Sequence, residues 1–268
     1  MIFLLLLSVF LRGASSSILS EDTPISFSFP SFAKDSCDNK TLICYGAIES
    51  SGALSITPGP PPNLPIRKVG RVLYGKPLSL QRSFIDTTIT IKISRHQNYT
   101  DRAGDGMTFI FASDKNGPSA KGVGEYLGLQ SSPGDKFPPL AVELDTCLNK
   151  NLNDPDDNHI GIDINGIESN PVNSLLDVDL KSGRAIQVRI YYNPDFGQLS
   201  IYAAYSGETL VKVIEKPINL SDIIPTPVYV GFTAATGDFL ESHEVINWTF
   251  NSFPVPPSLK EKNLVMPI

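Results

Sequence analysis

A chain of 268 residues that is 41% hydrophobic can bury one large core, and a mean hydropathy of -0.02 excludes a polytopic membrane protein. The net charge of -6, with acid scattered rather than in blocks, argues against nucleic acid, whose phosphates need a basic face. The 20 Gly and 22 Pro supply many turns, and no long stretch keeps a 3.6-residue apolar period, so the expected fold is all-β.

Residues 1–16 carry the apolar run IFLLLLSVFL, then Arg12 and small residues. The run is too short to span a bilayer and reads as a secretory signal peptide, which makes the expected location extracellular. No second apolar stretch is long enough for a membrane span. Secretion makes the cysteines legible: Cys37 and Cys44 bracket DNKTLI and can close a small loop as a disulfide, leaving Cys147 as an odd thiol. Sequons begin at Asn39, Asn98, Asn219 and Asn247. The first two lie in polar loops and suit a glycan, whereas Asn247 sits in the strand-like VINWTF and suits one poorly.

Ile25, Phe27 and Phe29 alternate with serines, the pattern of a strand with one wet face. Residues 57–65 (TPGPPPNLP) form a Pro-rich loop rather than a linker, because the pattern resumes at once with GRVLYGKPLSL. Thr87 to Ile93 alternates strictly and is another strand. In 104–113 (GDGMTFIFAS), Asp105 and Gly106 taken alone read as a β-turn before a strand. The glycines of 122–129 (GVGEYLGL) are a weak phosphate cradle, since no Lys-Ser/Thr and no helix follows.

Residues 141–165 (AVELDTCLNKNLNDPDDNHIGIDIN) hold the densest chemistry. Glu143 and Asp145 are two apart in an apolar run, so on a strand they share a face. Asn149, Asp154 and His159 follow in a loop-like segment, and Ile160, Ile162 and Ile164 then alternate as a second strand. Oxygen donors with one imidazole suit a hard cation beside a transition metal. An acidic, solvated hairpin loop fits the spacing as well. After it, Ile186–Tyr192 and Leu199–Tyr205 form a hairpin across NPDFGQ, and 254–268 shows Pro-rich signals without pattern, a disordered tail.

The run E-L-D-T-C-L-N, D-P four residues on, and H-I-G-I-D resembles the metal-binding signature of the legume (L-type) lectins of plants. The likeness extends through 46–55, GRVLY, GDGMTF, GVGEYLGL and GFTAATG…HEVINWTF, and so over 24–253 as one domain. It implies a jelly-roll sandwich of a flat back sheet and a curved front sheet. It implies manganese on Glu143, Asp145, Asp154 and His159, and calcium on Asp145, Asp154, the Asn149 side-chain oxygen and the Cys147 carbonyl, with Ser169 near the manganese. It further implies sugar contacts from Asp105, after a cis peptide, from Gly124, Glu125 and Asn149, and from Asp238 and Phe239 in the final loop. His243 is expected to be structural.

The function implied is reversible binding of glycans or glycoproteins without catalysis, possible homo-oligomers forming through the back sheet. The five residues between Gly237 and His243 match the short loop of mannose/glucose binders. One departure is Cys147, where the family usually has an aromatic ring. Two other readings are weighed against the glycan reading. One is a family member that has lost sugar binding and works through protein contacts, as a receptor ectodomain or inhibitor-like protein. The other is a jelly-roll glycoside hydrolase, whose E-x-D-x-E strand would need Glu at 147.

Overall fold

A computed structural model describes residues 23–38, 40–57, 66–96 and 103–255 of the chain. The signal-peptide reading of 1–16, the sequons at Asn39 and Asn98, and all but Thr57 of the Pro-rich loop lie outside the described residues. The strands are β1 (Ile25–Phe29), β2 (Leu42–Tyr45), β3 (Ile48–Ser50), β4 (Ala53–Ser55), β5 (Val69–Tyr74), β6 (Ser83–Arg95), β7 (Gly106–Ala112) and β8 (Leu140–Asp145). They continue as β9 (His159–Asp163), β10 (Val172–Ser174), β11 (Ile186–Asn193), β12 (Gln198–Tyr205), β13 (Val211–Pro217), β14 (Tyr229–Ala235) and β15 (Glu241–Pro254). Only short 3-10 turns interrupt them among the described residues, so the chain is all-β.

Two antiparallel sheets form a jelly-roll sandwich. The eight-stranded sheet runs β13-β12-β11-β6-β15-β4-β3, with β1 added against β15, and the seven-stranded sheet runs β10-β9-β8-β7-β14-β5-β2. Strict alternation decides which side chains meet between them: Ile186, Val188 and Ile190 of β11 point inward, as do Ile85, Ile89, Ile91 and Ile93 of β6. The aromatic cluster of Phe27, Phe109, Phe232, Phe250 and the fully buried Trp248 fills the centre, with Phe232 and Trp248 edge-to-face at 4.8 Å.

A second, smaller core explains how one face of the seven-stranded sheet carries a site. Leu73, Ile110 and Ala141 point away from the sandwich and are covered by Leu127 and Leu129. Gly124–Tyr126 is a 3-10 turn, and the chain stays irregular, with isolated bridges at Ser131, until β8 begins at Leu140. The fully buried Arg71 holds this stretch, donating to the carbonyls of Asn116, Gly128 and Leu129 at 3.0 Å and to Ser131 Oγ at 2.7 Å.

Cys37 and Cys44 form a disulfide, and Cys147 is a free thiol. At the other end, β15 runs through Pro254, and Val255 N–H donates to Arg82 O (2.8 Å), two residues further than the 253 boundary read from sequence. Residues 256–268 lie outside the described residues. Asn247 sits inside β15 beside a bulge, and Asn219 is exposed at a 3-10 turn. No described helix is long and apolar enough to cross a membrane.

Candidate metal centre and ligand groove

The β8–β9 register builds the first half of the site. Asp145 pairs with His159 and Glu143 with Gly161, so both carboxylates and the imidazole project from one face. The loop between the strands folds back to bring Asp154 to them. Ligand atoms of Asp145, Asp154 and His159 lie within 4.8 Å of one another. His159 Nε2 stands 3.6 Å from Glu143 Oε1 and 3.8 Å from Asp154 Oδ1. Gly161 makes room: a Cβ there would overlap Ser169 Oγ and stand 2.5 Å from Glu143 Oε1.

Protonation and hydrogen bonding prepare these groups for a cation. His159 Nδ1 lies 2.9 Å from the Asp156 carbonyl, which places the proton on Nδ1 and leaves the buried Nε2 as an unpartnered lone pair. Asn149 Oδ1 is also buried and unpartnered. Backbone amides fix the carboxylates, Cys147 N–H donating to Asp145 Oδ1 (2.7 Å) and Asn149 N–H to Asp154 Oδ2 (2.6 Å). Burial, then the Glu143 charge, holds Asp145 well above the usual carboxylate range; burial raises Asp154 too. Such crowding of acid is what a divalent ion relieves.

Asp163 was not singled out in the sequence, yet it belongs here. Its spacing of two from Gly161 puts it on the His159 face, and Ser169 Oγ bridges it (2.8 Å) to Glu143. Burial and Glu143 raise it well above its ordinary range. The period-2 rule that found Glu143 and Asp145 would have found it.

The ligand groove opens next to this cluster. Asp105, Gly124, Glu125, Asn149, Asp238 and Phe239, the six expected sugar contacts, line one groove of about 440 Å³. Arg67, Val123, Tyr126, Cys147 and Gly237 line it as well. Arg67 escaped sequence reading because it reaches the groove only through the fold, whereas Val123 and Tyr126 flank Gly124 and Glu125 in the same run. The Gly104–Asp105 peptide is cis. Asp105 is 5% exposed, and its Oδ2 has no partner. Burial, then the charge of Glu241, pushes its pKa up to about 7 against a Gly237 backbone hydrogen bond and a bond from the Cys147 thiol. That thiol is pushed up to about 12, chiefly by burial, and so acts as a donor and not a thiolate.

Gly237 is required by close approach: a Cβ would lie 2.7 Å from Asp105 Oδ2 and 3.1 Å from Gly124 Cα. The Gly124 N–H, expected to face a sugar, instead makes a long bond to Thr236 O (3.4 Å). The Asp238 side chain is exposed and pairs with Arg67 (3.0 Å). Asn151 holds Glu125 (3.0 Å). His243 has the structural role expected, fully buried between Thr57 Oγ1 (2.8 Å) and Glu241 Oε1 (2.7 Å). The same Glu241 oxygen accepts from Thr146 (2.5 Å), so this network joins the final loop to the base of the cation loop.

Residues 24–266 match the family described as "Legume lectin domain". Agglutinin-2 of Cladrastis kentukea is 33% identical over 244 residues, 85% of this chain and 81% of the relative. A probable L-type lectin-domain containing receptor kinase S.7 of Arabidopsis thaliana is 32% identical over 218 residues; the match takes 75% of this chain but spans only 31% of the kinase's length. Among solved structures, the lectin of Bauhinia forficata in complex with GalNAc superposes with a TM-score of 0.73 at 28% identity, covering 87% of this chain and 100% of that one.

Proposed function

The chain belongs to the legume lectin family, and on that premise we propose that it binds glycans reversibly in the Asp105–Asn149 groove, with manganese and calcium as structural cofactors. The relatives that this chain covers over most of their length are lectins, and the kinase relative is matched over only 31% of its length. The observation that carries the proposal is a set of orphaned buried atoms: His159 Nε2 in the acidic cluster, and Asn149 Oδ1 and Asp105 Oδ2 on residues that line the groove. Buried polar atoms in folded proteins nearly always have partners. A cation suits the first two, and sugar hydroxyls suit the third.

Glu143, Asp145, Asp154 and His159 would hold manganese. Asp145, Asp154, the Asn149 oxygen and the Cys147 carbonyl would hold calcium. When bound, the two ions supply positive charge that neutralises the crowded carboxylates and stiffens the loop. The protein's own groups then read the sugar. With its oxygen engaged by calcium, Asn149 offers its Nδ2–H donors, Asp105 accepts from hydroxyls, and the backbone of Glu125, Asp238 and Phe239 donates. Asp105 must be ionised to accept fully, and a nearby cation favours that form.

The finer reading is a preference for mannose or glucose over galactose, because only five residues, Asp238 to Ser242, separate Gly237 from His243. The GalNAc complex of the Bauhinia lectin is the competing indication. Cys147 offers no ring to the sugar's apolar face, so expected affinity is high micromolar to millimolar, roughly 4–5 kcal/mol. Secretion, from the reading of 1–16, and association of copies through the outer face of the eight-stranded sheet belong to the same proposal. A glycan array probed with and without EDTA tests it: cation-dependent signal on mannose- or glucose-terminated glycans is expected. A blank array with cations present would favour the loss of sugar binding in exchange for protein contacts.

A further inference from the structure

The described groove extends beyond Asp105 and Asn149 to a rim that holds Arg67 and Asp238. At about 440 Å³ it lies within the 300–1,000 Å³ range of small-molecule sites in general. Its floor and rim differ in chemistry. Asp105, on the floor, is 5% exposed, whereas the side chains of Arg67 and Asp238, on the rim, are 68% and 73% exposed. Among the described lining residues, Arg67 is the one cation, beside the carboxyl groups of Asp105, Glu125 and Asp238.

Several observations show that Arg67 is held at this rim. Its backbone lies in the left-handed region (φ 57°), where non-glycine residues are uncommon and cluster at functional positions. Its N–H donates to Gly237 O (3.1 Å), Lys68 N–H donates to Thr236 Oγ1 (3.0 Å), and Thr236 N–H donates to Lys68 O (2.8 Å). The turn at 66–68 is thus fastened to the loop that begins the final sugar contact. The guanidinium reaches Asp238 Oδ1 through Nε (3.2 Å) and Nη2 (3.0 Å). An exposed pair of this kind adds little stability. It does present, side by side, spare N–H donors and a carboxylate acceptor to whatever occupies the groove above Asp105.

We propose that the Arg67–Asp238 pair is a second subsite, which reads adjacent hydroxyls on the sugar linked to the one held by Asp105 and Asn149. The ligand is then an oligosaccharide of at least two rings. A donor and an acceptor side by side match two neighbouring hydroxyls, each of which can accept and donate. The inference rests on the glycan reading of the groove and adds to it the size class of the ligand.

The test compares monosaccharide and disaccharide affinity by titration calorimetry on the cation-loaded chain. The probes are methyl α-mannoside with α-1,3-mannobiose, and methyl β-galactoside with lactose; the pair whose monosaccharide binds is used. The wild type is expected to bind the disaccharide at least fivefold more tightly than the monosaccharide. Arg67→Ala is expected to remove that advantage while monosaccharide affinity stays within twofold and calcium affinity is unchanged. Asp238→Asn, which keeps an acceptor, is expected to retain at least half of the advantage. An equal loss for both sugars in Arg67→Ala would make Arg67 a mere loop anchor and overturn the subsite. So would an absent wild-type advantage. Binding of neither monosaccharide would remove the glycan reading itself, and the subsite with it.

Discussion

At Asp105 a carboxylate is buried beside a second acid, Glu241, and stays protonated up to about pH 7 in the cation-free protein. Burial also raises Asp145, Asp154 and Asp163, and His159 rises because Glu143 and Asp154 outweigh its burial. All five shifts have one sign. The folded chain binds these protons more tightly than the unfolded chain, where Asp titrates near 4. The four carboxyl groups' contribution is therefore present at acid pH and is lost as pH rises from about 4 through their raised values, whereas that of His159 is lost only above about pH 6.5. Thermal melts in EDTA should show the midpoint rising as pH falls from 7 to 5, and Asp105→Asn should flatten part of that slope. With cations bound the trend should reverse, because the same protons then displace metal. Two substitutions probe the groove directly. Gly237→Ala drives a methyl to 2.7 Å from Asp105 Oδ2 and should cost at least tenfold in sugar affinity, with a melting midpoint changed by only a few degrees. Cys147→Tyr should strengthen sugar binding if the missing ring is why affinity is low, which the same titration reads.

At the scale of elements, the β8–β9 pair does most of the positioning, and it was also the most legible part of the sequence. Glu143 and Asp145 could be placed on one face from a two-residue period alone, and the described register agrees with that placement; His159, read as part of the loop, instead opens β9 opposite Asp145, which only the strand pairing reveals. The alternating runs of β1, β6, β11 and β12 were legible for the same reason. What could not be read was whatever depends on a distant partner. Arg67 reaches the groove through Gly237 and Asp238, some 170 residues away. The irregular course of 127–139 depends on Arg71, whose four acceptors come from another part of the chain. β2 and β13 lack clear alternation and were passed over; β13 is an edge strand, and most of its residues face solvent. Two outcomes belong to this scale. Gly161→Ala should abolish the cation site by intruding on Ser169 and Glu143, which elemental analysis of the purified protein would register. Arg71→Met leaves three carbonyls without donors and should destabilise by about 2–4 kcal/mol, measured by denaturant unfolding.

Over the whole molecule, the sandwich core and the site make separable contributions. Trp248, fully buried amid Phe27, Phe109 and Phe232, anchors the core, so Trp248→Ala should cost about 3–5 kcal/mol without depending on cations. The loop edge of the seven-stranded sheet behaves otherwise. Its carboxylates gather for a ligand the chain does not itself contain, and ligand binding to the folded state alone stabilises in proportion to the logarithm of ligand concentration. Calcium and manganese should therefore raise the melting midpoint of wild type and Trp248→Ala alike, and leave Asp145→Ala unmoved. The cations and the sugar are the two halves of one claim. Titration calorimetry of methyl α-mannoside and methyl β-galactoside into the cation-loaded chain, repeated after EDTA, addresses both. The expected result is high-micromolar to millimolar binding of the mannoside, weaker binding of the galactoside, and loss of both in EDTA; no heat from either sugar with cations present, or binding that survives EDTA undiminished, would contradict it.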